Sequence, residues 1–333
     1  MTTHFTHLHE HRPQTLVDLV ERAIELKRSP TADGPLAGKS VILVFLNPSL
    51  RTRASMEIAA ASLGATPVVL APGKDAWPLE HLEGVVMEGG AGEHVKEAVG
   101  VLARYGQVIG LRAFPAASSW DEDRAEPMLT AFRERSPVPV VNLESATGHP
   151  CQALADLMTV KERMEPAGKN FLLTWAPHVK ALPMAVPHSA AEIAAVAGMN
   201  VTVARPEGYD LAPEVMGRLR SLCAERGTTL TVTSDPPAAY EGAHVVYAKS
   251  WMSLERYGAP PPLDEKIRKM WIVDGGKMRR TDCGIFMHCL PVRRNLVVTD
   301  EVIDGAASVV LDQAENRLHT AKAVLLWLCG ARP

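Results

Sequence analysis

Ser40-Val41-Ile42-Leu43-Val44-Phe45-Leu46 runs directly into Asn47-Pro48-Ser49-Leu50-Arg51-Thr52-Arg53. The first stretch is a continuous apolar run of strand length, which marks a strand buried on both faces. The second opens an amphipathic segment of helical period near 51–63. A buried strand feeding a helix is half of a βαβ unit, and the pattern repeats outward from it. In the first half, further strands are expected near 67–71, 107–112 and 138–142, with a helix near 93–105. In the second half, strands are expected near 170–175, 200–204, 229–233, 244–248, 284–288 and 308–312. The class is therefore α/β, with two doubly wound parallel-sheet domains. The segment 150–164 starts with proline at a permitted first-turn position and carries an apolar stripe, which suits an interdomain helix. The domain boundary is placed there, giving 1–149 and 150–333. The last helix, near 314–329, is apolar on more than one face and is expected to pack back on the first domain.

A chain of 333 residues is long enough for two cores. With 47% hydrophobic and 22% charged residues and a formal net charge of -3, it has the composition of a globular protein and not of a nucleic-acid coat or a disordered tail. No apolar run has the length of a membrane span, and residues 1–14 lack the apolar core of a secretory signal, so a cytoplasmic location is expected. Five cysteines without CxxC spacing predict free thiols, with no disulfide framework and no metal. Gly34-Pro-Leu-Ala-Gly38-Lys39-Ser40 is one residue short of a P-loop and precedes its strand instead of following it. Gly89-Gly90-Ala91-Gly92 does not fit a dinucleotide fingerprint. No cofactor is expected. His4, His7, His9 and His11 are expected to lie in a solvated tail.

The chemistry concentrates after the first strand. A helix start offers free backbone N–H groups and a positive dipole end to an anion. Ser49 and Thr52 add hydroxyls, and Arg51 adds a planar fork suited to phosphate oxygens.

Ser49-Leu50-Arg51-Thr52-Arg53 resembles the phosphate loop of the aspartate and ornithine carbamoyltransferases. His149-Pro150-Cys151-Gln152 and His288-Cys289-Leu290-Pro291 resemble two further motifs of that family, in the same order. The resemblance spans roughly residues 38–325 and implies the following roles. Ser49, Leu50, Arg51 and Thr52 hold the phosphate of carbamoyl phosphate, with Arg112 and Arg317 adding positive charge. Thr52, Arg112 and His149 donate to the carbonyl oxygen, and Gln152 holds the carbamoyl NH₂. Cys289 and the carbonyl of Leu290 orient the attacking amine without a covalent intermediate. Trp77 sits on a loop that in the family reaches a neighbouring subunit, so a homotrimer with shared sites is implied. The first domain would bind carbamoyl phosphate and the second the amine acceptor. A relative that binds metabolites without catalysis is the competing class, and retention of Arg51, Arg112 and Arg317 speaks against it.

The acceptor follows from Val246-Tyr247-Ala248-Lys249-Ser250-Trp251-Met252, where Lys249 replaces the aspartate that pairs with the free α-ammonium in plain ornithine enzymes. An ammonium facing an ammonium is repelled, which disfavours free ornithine, and Glu144, Thr174-Trp175-Ala176-Pro177-His178, Lys249 and Arg293 resemble motifs of the branch acting on Nα-acylated ornithine. That resemblance implies that Glu144, His178, Lys249 and Arg293 bind the acylornithine. Acetyl-preferring members carry Glu, and succinyl-preferring members Pro, at the position of Gly92. Glycine removes the carboxylate that would repel a succinyl tail. Ala176-Pro177-His178, Leu182-Pro183 and Val297 lean the same way, while Lys74-Asp75-Ala76-Trp77-Pro78 and Glu315-Asn316-Arg317 look acetyl-type. N-succinylornithine is the expected acceptor, with N-acetylornithine the alternative.

Overall fold

The computed structural model describes residues 2–29 and 34–330. In chain order the first part carries α1 (Pro13–Arg28), β1 (Ser40–Phe45), α2 (Arg51–Ser62), β2 (Thr66–Leu70), β3 (Leu79–Glu80), β4 (Glu93–His94), α3 (Val95–Tyr105), β5 (Val108–Arg112), α4 (Trp120–Asp123), α5 (Pro127–Arg135) and β6 (Val140–Glu144). Then come α6 (Pro150–Lys161), β7 (Asn170–Trp175), α7 (Ala185–Val196), β8 (Asn200–Ala204), α8 (Pro213–Arg226), β9 (Leu230–Thr233) and α9 (Pro236–Ala239). The chain ends with β10 (Val245–Lys249), α10 (Glu265–Trp271), α11 (Gly275–Met278), β11 (Ile285–Met287), α12 (Asp300–Ile303) and α13 (Val310–Leu328). No described helix is long and apolar enough to cross a membrane.

Two compact units result. The first comprises the chain up to Ala116, Asp121–Cys151, and the chain from Arg317 onward; the second comprises Ala117–Trp120 and Gln152–Asn316. In the first unit a four-stranded sheet has the order β2-β1-β5-β6, with every pair parallel. Its central strands are the apolar runs seen in the sequence, and Val41, Leu43, Val44, Val108, Ile109 and Leu111 have no solvent exposure. In the second unit a five-stranded parallel sheet has the order β11-β10-β7-β8-β9. Trp175 and Trp251 are fully buried there with their indole N–H groups satisfied, Trp175 Nε1 donating to the Trp251 carbonyl (3.0 Å) and Trp251 Nε1 to the Tyr209 carbonyl (2.8 Å).

Two expectations fail. The run 308–312 is not a strand: Ser308 makes an isolated bridge with Phe286, and the chain turns helical at Val310. Val309 and Val310 are buried, so the apolar run marks the start of a buried helix, which periodicity does not distinguish from a short strand. The N-terminal histidine stretch is not a solvated tail either. Phe5 is fully buried and pairs beside β6, its N–H donating to the Val140 carbonyl (2.8 Å) and its carbonyl accepting from Asn142 N (2.9 Å). That pairing covers the outer edge of β6, whose main-chain groups need partners. His7 Nε2 lies 2.8 Å from Glu126 Oε2, and no group of three metal-capable side chains occurs among the described residues.

Candidate active site

In a doubly wound sheet, ligands bind beyond the carboxyl ends of the two strands whose connections leave in opposite directions. In the first unit these are β1 and β5, and Phe45 at the end of β1 pairs with Arg112 at the end of β5. Asn47 ties the two strand exits together, its Oδ1 accepting from Phe114 N (2.7 Å). Ser49 Oγ accepts from Thr52 N (3.2 Å) and so caps α2 from within the loop. Leu50 is 77% exposed and Arg51, the first helical residue, is half-buried. Thr52 is buried, and its Oγ1 accepts from Nη2 of the buried Arg317 (2.9 Å). The neighbouring Cys151 is no nucleophile: burial pushes its thiol up to about 11, against the opposing pull of the Arg317 charge.

Arg112 is 7% exposed, with Cζ 4.3 Å from the centre of the Phe114 ring. Its Nη1 donates to Glu144 Oε2 and to the Leu143 carbonyl (3.4 Å), while its buried Nε has no hydrogen-bond partner. Glu144 closes β6 opposite Arg112 after a register shift, and it holds φ at +135°, a region that L-residues rarely adopt. Asn142 supports this bend, Oδ1 accepting from Glu144 N (2.9 Å) and Nδ2 donating to Ser145 Oγ (2.7 Å) and the Thr6 carbonyl (3.0 Å). Glu144 Oε2 lies 3.6 Å from Nε2 of the buried His149. The structure thus places Arg112 and His149 at the Glu144 carboxylate, a residue that the sequence reading grouped with His178, Lys249 and Arg293. Trp77 is 70% exposed, and a Cβ at Gly92 would meet its side chain at 3.5–3.6 Å, an ordinary contact.

In the second unit the corresponding strands are β7 and β10, and Trp175 pairs with Lys249 at their carboxyl ends. His178 follows β7. Arg293 Nε donates to its Nε2 (3.1 Å), and its Nδ1 lies 3.1 Å from both the carbonyl oxygen and the main-chain nitrogen of Lys180. Burial lowers the His178 pKa, and the charges of Lys249 and Arg293 lower it further. This end of the unit is cationic, with a neutral imidazole holding one arginine in place.

Beyond β11, His288 N donates to Gln313 Oε1 (3.0 Å) and His288 Nδ1 accepts from Leu290 N (2.9 Å). Cys289 between them is half-buried, and Leu290 has φ +53°. Gln152 is buried in the first turn of α6, and its Nε2 donates to Asp156 Oδ1 (2.8 Å). Sequence reading missed Asn47, Asn142, Asp156 and Gln313. Only Asp156 left a local signal, the four-residue spacing that puts it on the same helix face as Gln152.

The carbamoyl-P binding domain model of the aspartate/ornithine carbamoyltransferases matches residues 3–162, and the Asp/Orn binding domain model matches residues 184–328. The chain belongs to the aspartate/ornithine carbamoyltransferase family. It is 44% identical to the N-acetylornithine carbamoyltransferase of Xanthomonas campestris pv. campestris, over 99% of each chain. It is 39% identical to the N-succinylornithine carbamoyltransferase of Bacteroides thetaiotaomicron, over 86% of each. The fold is shared with a glutamate-to-alanine mutant of N-acetyl-L-ornithine transcarbamylase complexed with carbamyl phosphate and N-succinyl-L-norvaline, at TM-score 0.93 and 43% identity, covering 98% of this chain and 99% of that one. As a member of this family the protein is a carbamoyltransferase, and these relatives put it in the N-acylornithine branch.

Proposed function

We propose that the protein transfers the carbamoyl group of carbamoyl phosphate to the δ-amino group of Nα-acetyl-L-ornithine, forming N-acetylcitrulline and phosphate in arginine biosynthesis. The observation that carries the acylated acceptor is the cationic end of the second unit. Lys249 and Arg293 both bear on His178, and His178 orients Arg293. An acylated ornithine presents only a carboxylate at its α end, which this set attracts; free ornithine adds an ammonium, which it repels. Similarity supports the acetyl group more than the succinyl group expected from the sequence. The acetyl-type relative is more similar and matches over nearly the whole chain, whereas the succinyl-type relative matches over 86% of it. The succinyl acceptor remains the second reading, on one observation: Gly92 is exposed and brings neither charge nor bulk beside Trp77.

In this reading Ser49, Leu50, Arg51, Thr52 and Arg317 hold the phosphate. The unpartnered Nε of Arg112, with Thr52 and His149, donates to the carbonyl oxygen as the amine attacks and negative charge grows there. Gln152 receives the carbamoyl NH₂, and Cys289 with the Leu290 carbonyl orients the amine. The C–O bond to phosphate breaks, and the departing phosphate takes the amine's proton, so the step needs no dedicated base. Glu144 fixes Arg112 in this scheme, in addition to meeting the acceptor. We assign a homotrimer with shared sites, in the cytoplasm. Support for the assembly comes from the loop of Trp77, Leu82, Val86 and Met87, all exposed apolar side chains in this protomer.

The test is a citrulline-product assay offering ornithine, N-acetylornithine and N-succinylornithine in parallel. Acetylornithine should be used best, and ornithine at least about a hundredfold less efficiently, the value of roughly 3 kcal/mol of charge repulsion. Equal use of ornithine refutes the acylated acceptor; preference for succinylornithine restores the second reading.

A further inference from the structure

Inside the second unit lies a buried polar cluster that no role assigned above absorbs. Asp156 sits one turn beyond Gln152 on α6, and both are 2% exposed. One carboxylate oxygen, Oδ1, accepts from two primary amides: Gln152 Nε2 at 2.8 Å and Gln313 Nε2 at 2.7 Å. Tyr247 is fully buried beside them, and burial together with the Asp156 charge raises its pKa, keeping the phenol protonated. Gln313 passes the arrangement on, its Oε1 accepting from the main chain of His288 (3.0 Å).

An ionised carboxylate only accepts hydrogen bonds, whereas a primary amide donates at one end and accepts at the other. With Asp156 at its flank, Gln152 has one acceptable orientation. Turning the amide over would set its carbonyl oxygen against a carboxylate oxygen inside the protein, where two facing acceptors are costly. The Oε1 end of Gln152 is therefore turned away from Asp156 in every molecule.

We propose that Asp156 is a positioning residue that fixes which end of the Gln152 amide meets the substrate, and thereby makes the site select a carbamoyl donor over an acetyl donor of the same shape. The proposal rests on the reading that Gln152 meets the carbamoyl NH₂. Carbamoyl and acetyl phosphates differ by NH₂ against CH₃, nearly isosteric groups. A fixed acceptor is satisfied by the first and stranded by the second, and a site built to hydrogen-bond a group rejects the analogue that lacks it.

The experiment is binding calorimetry on the full chain with two unreactive analogues, phosphonoacetamide and acetonylphosphonate, which reproduce that NH₂/CH₃ difference. The natural protein should bind phosphonoacetamide at least about tenfold more tightly, the effect of one buried acceptor left unpaired. Gln152→Leu should abolish the preference. Asp156→Asn, which allows the Gln152 amide to turn either way, should bring the ratio to within about threefold while acetonylphosphonate binds nearly as before. A structural role alone would weaken both analogues equally and leave the ratio intact. If Asp156→Asn does not fold, Asp156→Ser is measured in the same way, since a hydroxyl also accepts either amide orientation. An unchanged ratio in the folded Asp156 variant, with the ratio lost in Gln152→Leu, overturns the role of Asp156 and spares the proposed function. A ratio unchanged in Gln152→Leu overturns the inference at its premise. Binding of neither analogue by the natural protein overturns the proposed function itself.

Discussion

Arg112→Met tests whether the centre of the first unit is held by charge. The guanidinium is 7% exposed, is paired with Glu144, and lies 4.3 Å from the Phe114 ring centre. Methionine keeps much of the volume, so the loss is of charge and donors. Removing one partner of a buried pair costs about 3–5 kcal/mol, because the other charge is stranded. The stacking on Phe114 adds about 0.5–1 kcal/mol. Two features moderate the sum: the Glu144 side chain is 14% exposed, and His149 Nε2 stays 3.6 Å from its carboxylate. A destabilisation of about 3 kcal/mol is therefore expected, read as a shift of the urea midpoint at unchanged slope. Adding Glu144→Gln removes the stranded charge, so the double variant should regain about 1–2 kcal/mol. Activity should behave differently. The turnover lost in Arg112→Met, on the order of a hundredfold or more for a donor to a developing oxyanion, should stay lost in the double variant. A coupling energy below about 0.5 kcal/mol refutes the ion pair as a structural tie. Recovery of turnover in the double variant refutes Arg112 as a donor to substrate.

Gly92→Glu should leave the fold intact, because its Cβ meets Trp77 only at ordinary contact distance, and should lower the succinylornithine-to-acetylornithine efficiency ratio about tenfold through repulsion of about 1.4 kcal/mol; parallel loss of both acceptors would sink the charge argument. Lys249→Asp should reverse the acceptor preference toward ornithine in the citrulline assay, and a variant equally poor on ornithine would show that Lys249 does not read the α end. The folded pKa of His178 lies below its ordinary 6.5, chiefly by burial, so the unfolded chain takes up its proton first as pH falls through that value. Stability should fall from pH 7 toward the folded pKa, and less steeply in His178→Gln; identical slopes in denaturant titrations would contradict the assignment. At pH 8 an alkylating reagent should label the exposed Cys283 rapidly and leave the buried Cys151 unmodified until unfolding, as peptide mapping would show.

Local sequence was sufficient for the α/β class, for most of the strands, and for the strand-to-helix loop opening α2. Each of these depends on a few consecutive residues: apolar runs bury themselves, and a helix start offers its own donors wherever it lies. Local sequence misread the run at 308–312, where burial is shared by a strand and by the start of α13, and the histidine-rich terminus, whose partner is a strand edge. It leaned to the succinyl acceptor on one missing carboxylate at Gly92, whereas similarity over the whole chain favours the acetyl one. Tertiary structure alone decided the long-range pairings among the candidate site residues. Arg317 reaches Thr52 across 265 residues of chain, Gln313 reaches Asp156 across 157, and Arg112 meets Glu144 across 32, with Glu144 bent to φ +135°. No periodicity encodes such contacts. They exist because parallel strands bring carboxyl ends side by side regardless of separation along the chain, and because a buried charge or amide must find its partner wherever folding has placed one.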